Sequence, residues 1–106
     1  MRYTAGLIWI KPPSGFESLC EKLRFAYVGF RMLDLDYDMV WAKEATSVIR
    51  MINNELSTGR EISSVLLYDV IDSLHKAIEK HRDDIPKEIY HGLEYTLASA
   101  LEEVKL

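Results

Sequence analysis

One cysteine, Cys20, is all this chain carries, so an intrachain disulfide is impossible and a zinc cage built on thiolates is excluded. Cys20 reads instead as a small apolar core residue. Long hydrophobic runs are missing too. The longest, Ala5 to Ile10, is too short to span a bilayer or to serve as an ordinary secretory core, and Lys11-Pro12-Pro13 closes it without a small-residue cleavage pattern. A cytoplasmic protein with no membrane span is the expectation. Basic stripes are absent as well. Lys22, Arg24 and Arg31 are few and dispersed, which argues against a phosphate-binding surface. No Gly-rich phosphate loop, nucleophile elbow or His-Glu-x-x-His occurs, so the spacing of Ser, His and Asp implies no triad. No cofactor is expected.

What is there is a chain of 106 residues, 48% apolar and 28% charged, which fits one globular domain rather than a disordered segment. Its charge is uneven. Residues 1–60 carry eight Lys/Arg against seven Asp/Glu, and residues 61–106 carry five against ten, or +1 and −5. The acidic half repels phosphates, so nucleic acid is an unfavoured partner.

Apolar spacing predicts the architecture. From Phe16 the apolar residues fall at Leu19, Cys20, Leu23, Ala26, Tyr27, Phe30 and Leu33, the i, i+3, i+4, i+7 rhythm of one helix face. Ser14 and Glu17 form a capping box at its start. Gly29 marks either a close approach of another backbone or a break after which 30–35 becomes extended. A second helix follows with Val40, Trp41, Ala45, Val48, Ile49, Ile52 and Leu56 inward, its start capped by Asp34, Asp36 and Asp38. Ser57-Thr58-Gly59 ends it. Thr58 and Glu61 open a third, with Ile62, Val65, Leu66, Val70, Leu74, Ala77 and Ile78 inward. Pro86 opens the fourth, through Ile89, Tyr90, Leu93, Leu97, Ala100, Leu101 and Val104.

Short connections make consecutive helices antiparallel. The expected fold is therefore mainly α: a single domain over 1–106, an up-down four-helix bundle with helices at about 15–32, 36–56, 60–81 and 86–104. Residues 1–13 are an extended strand and a Pro-containing linker.

The strand poses a pairing problem. Tyr3 to Ile10 is rich in β-branched and aromatic residues, and its backbone groups need a partner. Three solutions follow: pairing of 3–10 with about 29–35 in an α+β alternative, pairing with a second copy, or irregular chain over the bundle. Phe25, Val28 and Met32 lie away from the main apolar face of the first helix, on a side that a monomeric bundle leaves wet. Together with Leu7, Ile8, Trp9 and Ile10 they form the expected interface, the alternative being that the N-terminal segment of the same chain covers them.

All three histidines fall within residues 75–91, two of them in near mirror image about residue 83. If the two polar flanks of the last hairpin meet, His75, Glu79, His91 and Glu94 can line one outer groove with donors suited to a divalent transition metal. The competing account, preferred on spacing, is a wet flank with i,i+3 and i,i+4 partners such as Glu79 with His75 and Lys76. Glu88-Ile-Tyr-His91 matches the Glu-x-x-His motif of di-iron bundles in form, but its outward face and the apolar Leu23, Tyr27, Val48 and Ile52 opposite it exclude that class. His81 is expected against the last carbonyls of the third helix. The alternating Asp34, Asp36 and Asp38 lack the upstream Gly-Ser turn of a nucleotidyltransferase and read as caps. Tyr68, Tyr90 and Tyr95 read as boundary tyrosines with wet hydroxyls.

The sequence thus supports best a small acidic non-enzymatic interaction or regulatory protein acting as a homodimer, with a second protein as a further possible partner. One alternative is a metal-binding protein or enzyme using the His/Glu groove. The other is a helix-turn-helix DNA-binding regulator, in which Ser57-Thr58-Gly59 is the turn and Glu61, Asp69 and Asp72 would repel the backbone.

Overall fold

The apolar rhythm that begins the first helix does not stop at Gly29. In the computed structural model, which describes residues 19–58 and 62–104, α1 runs Leu19–Leu35 without a break and buries Leu23, Phe25, Ala26, Gly29, Phe30 and Leu33. Residues 29–35 are therefore helix and offer no strand edge, which removes the α+β pairing. The proposed strand at 3–10 lies outside the described residues.

Three further helices follow: α2 at Val40–Ser57, α3 at Ser64–Lys80 and α4 at Lys87–Val104, with a 3₁₀ turn at Arg82–Asp84 between the last two. Among the described residues the regular secondary structure is all helical, with no strand. None of these helices is long and apolar enough to cross a membrane.

Two helix starts differ from expectation. Because Phe30 and Leu33 carry α1 on to Leu35, the aspartates fall in its last turn and in the following connection. Asp38 takes φ 57, a left-handed conformation that a short polar side chain tolerates. The residue before α2 is Met39, with no side-chain cap, and its N–H reaches back to the Leu33 carbonyl at 3.0 Å. Thr58 likewise closes α2 rather than opening α3: its hydroxyl donates to the Glu55 carbonyl at 3.0 Å. Ser63 caps α3 instead, accepting from the Leu66 N–H at 3.4 Å. Pro86 behaves as expected at the start of α4, where its carbonyl accepts from the Tyr90 N–H at 2.9 Å.

The helices alternate in direction. Lys22 near the start of α1 pairs with Glu103 near the end of α4 at 2.8 Å, so those two run antiparallel. Trp41 at the start of α2 stacks on His81 just past the end of α3, with ring centroids 4.4 Å apart and planes within 6°. The spatial order, however, is α2–α1–α4–α3. Close helix packing joins α1 to α2, α1 to α4, and α4 to α3, whereas α2 and α3 stand further apart. One continuous core nevertheless takes residues from all four, including Phe30, Leu33, Ile49, Ile71, Ile78, Leu93 and Leu97.

The face of α3 is rotated from the expected one. Leu67, Ile71, Leu74 and Ile78 are buried, while Val65 and Leu66 are exposed at 62% and 55%. Helix 3 carries more apolar residues than one face can hold, and the 67-71-74-78 set wins because it meets α4. The surplus, Leu66 and Val70, falls on the flank turned toward α2.

Candidate functional site

Two flanks of α3 carry the chemistry. The first faces α2 across the gap that the spatial order leaves. Trp41, Glu44, Ala45 and Val48 on α2 and Val70, Ser73, Leu74, Ala77, Lys80 and His81 on α3 line an open groove of about 340 Å³. Helix periodicity continues the same strip toward the other end of the bundle. Met51 follows Glu44 and Val48 on its side and is 64% exposed; Leu66 precedes Val70 and Ala77 on the other. The Trp41–His81 stack closes the end nearest the 82–84 turn, and Trp41 is itself set by an edge contact with Phe30 at 6.1 Å. His81 thus does more than face carbonyls: its backbone N–H caps α3 on Ala77 and Glu79, while its ring ties α3 to α2.

The second flank faces α4. Turning the buried face of α3 onto Leu67, Ile71 and Ile78 moves His75 from the wet side to the helix–helix boundary, where its side chain is 23% exposed. Its Nε2 stands 3.5 Å from Oε2 of Glu94 on α4. Glu79, one turn after His75, completes a group of three in which one ligand atom from each residue lies within 4.8 Å of the others. His91 is not part of it. As its position opposite the apolar face of α4 dictates, it stays exposed, with its ring 5.5 Å from that of Tyr90. It lines a separate depression of about 230 Å³ with Arg82, Asp83, Ile85, Lys87 and Tyr90.

Tyr90 departs from the boundary role expected of it. Its ring is buried, with the Arg82 guanidinium 5.1 Å from the centroid, and its hydroxyl donates to a carboxylate oxygen of Glu79. Burial first, and the Glu79 hydrogen bond second, push its pKa up to about 12. Lys76 pairs with Asp72 at 3.0 Å rather than with Glu79, and that hydrogen bond raises the pKa of the exposed ammonium. Glu79 is therefore held across the helix pair by Tyr90, a contact that no single-helix spacing rule displays.

Of the residues expected at an interface, Leu7, Ile8, Trp9 and Ile10 lie outside the described residues. Phe25 is buried, and Val28 and Met32 are half-buried against the core. Lys22, one turn before Phe25 on α1, reaches α4 through Glu103. Among the described residues α2 and α3 carry most of the exposed large apolar side chains, Val40, Met51, Val65, Leu66 and Tyr68, with Leu35 on α1 and Tyr95 on α4 also exposed. For α3 the signal in the sequence was the surplus of apolar residues in that helix.

No protein-family model, curated protein or solved structure matches this chain.

Proposed function

We propose that this chain is a small acidic protein that works by protein contact, in an adaptor or regulatory role rather than a catalytic one, as a homodimer joined across the seam between α2 and α3. The observation that carries this reading is the exposure of Met51 and Leu66 at the rims of a groove already lined by Trp41, Ala45, Val48, Val70 and Ala77. A mainly apolar strip shared by two helices is a surface that association removes from water.

A second copy is the occupant that the rim chemistry favours. Asp69 and Lys80 lie on the same outer edge of α3, eleven residues and about 16 Å apart at ~1.5 Å per residue. In a two-fold contact that sets two α3 helices antiparallel, Lys80 of each copy meets Asp69 of the other. Ser73 and Ala77, between them, are small enough for two helices to approach closely.

The test is solution mass by light scattering, on the full chain and on Leu66→Asp and Met51→Asp. The expected result is a dimer that each substitution turns into a folded monomer, with monomer stability changed by no more than ~0.5 kcal/mol because both sites are exposed. A chain that is monomeric at every concentration ends the homodimer reading. A dimer indifferent to both substitutions but lost on deletion of residues 2–11 moves the contact to the N-terminal segment.

A further inference from the structure

The α4 flank of α3 is independent of the seam, and it carries donors rather than apolar surface. We propose that His75, Glu79 and Glu94 bind one divalent transition metal of the zinc class, bridging α3 and α4.

Geometry is the argument. The 3.5 Å between His75 Nε2 and Glu94 Oε2 is long for a charge-assisted hydrogen bond, which sits at about 2.7–2.9 Å. It is close to the ~3.4 Å edge of a tetrahedron of N and O donors with bonds of about 2.0–2.1 Å to a central ion. Glu79 brings the third donor within 4.8 Å of the other two, at most about 1.4 Å beyond that edge. Three protein donors leave a fourth position to water.

The surroundings match the need of such a site. His75 is partly withdrawn from solvent between two packed helices, so its ring direction is limited by packing rather than free. Two carboxylates offset the charge of the ion. Tyr90 donates to one carboxylate oxygen of Glu79, as outer partners of ligating carboxylates do, and a carboxylate has a second oxygen to offer an ion. One imidazole with two carboxylates suits Zn²⁺, Co²⁺ or Mn²⁺ better than Mg²⁺, which demands near-ideal octahedral oxygen and holds its waters.

The experiment is zinc titration of the tag-free, chelator-stripped full chain by calorimetry, with Mg²⁺ as comparison. Variants are His75→Ala, Glu94→Gln, Glu79→Gln and Tyr90→Phe, with His91→Ala as control. The expected result is one Zn²⁺ per chain. Each ligand variant should weaken binding by more than the ~10–100-fold that removal of an outer partner costs, and Tyr90→Phe should fall within that range. His91→Ala should bind as the parent does. Equal affinity in all variants, less than one ion per chain, or equally tight Mg²⁺ binding overturns the assignment. Circular dichroism of each variant without metal separates loss of a ligand from loss of the fold. Because the seam lies on the other flank of α3, zinc binding should persist in Leu66→Asp, so the two proposals stand or fall separately.

Discussion

Tyr90 holds the one strongly shifted proton among the described residues, and its direction makes a pH prediction. The pKa rises from 10.0 to about 12 because burial disfavours phenolate and the Glu79 carboxylate accepts the phenol hydrogen. A value raised in the folded state contributes stability that is complete below the unfolded pKa and lost as pH climbs through the folded one. Glu79, Glu94 and Arg82 are the charges facing this hydroxyl. In chelator, the parent should lose stability relative to Tyr90→Phe between pH 10 and about 12, measured by urea unfolding. Parallel curves through that window would show that the phenol is not held as described. Thr96 gives the opposite kind of test. Its hydroxyl is fully buried on α4 without a hydrogen-bond partner, a state that costs about 1–3 kcal/mol. Thr96→Val keeps the shape and removes the orphan, so it should raise stability by about 1 kcal/mol; a loss would mean that the hydroxyl has a partner in solution.

At the scale of the element, α3 decides most. Ile71→Ala empties a fully buried position and should cost ~2–5 kcal/mol, whereas Val65→Ala at an exposed site should stay within ~0.5 kcal/mol. A face centred on Val65 and Leu66 would reverse that order, and denaturant midpoints tell the two apart. Ser63→Ala should remove a cap worth about 1 kcal/mol, at the low end for a 3.4 Å bond. This helix also shows where sequence reasoning holds and where it fails. The number of helices and the inward set of α4 followed from spacing alone, because α4 has a single apolar stripe; on α2, Val40 was expected inward but is 81% exposed, while Ala42 is fully buried. The third helix has nearly two, Leu67-Ile71-Leu74-Ile78 and Leu66-Val70-Ala77, and periodicity cannot choose between neighbouring stripes without knowing which partner helix is closer. That choice moved His75 by about half a face. It is why His75, Glu79 and Glu94 could be named as a group but not placed, and why His91 was grouped with them. The Tyr90–Glu79 bond and the Trp41–His81 stack join residues on different helices, so no local spacing announces them.

For the whole molecule, the order α2–α1–α4–α3 divides the helices into two kinds. The inner pair, α1 and α4, each pack on two neighbours, while α2 and α3 each pack closely on one and face the seam with the other side. Local opening is easiest where few buried contacts must break, so a monomer should show slower amide exchange in α1 and α4 than in α2 and α3. The Trp41–His81 stack should hold the turn end of α2 and α3 more firmly than the Met51 and Leu66 end. Association across the seam changes this pattern in a defined way. At concentrations where the chain is dimeric, exchange in α2 and α3 should slow toward that of the inner pair, while α1 and α4, already packed on both sides, should change little. Hydrogen exchange followed by mass spectrometry on diluted and concentrated protein makes the comparison within one chain. Leu66→Asp supplies the reference in which concentration has no effect. Slowing confined to α1 would instead mean that the contact surface lies on the first helix, and uniform protection of all four helices in a proven monomer would mean that the seam is closed in solution.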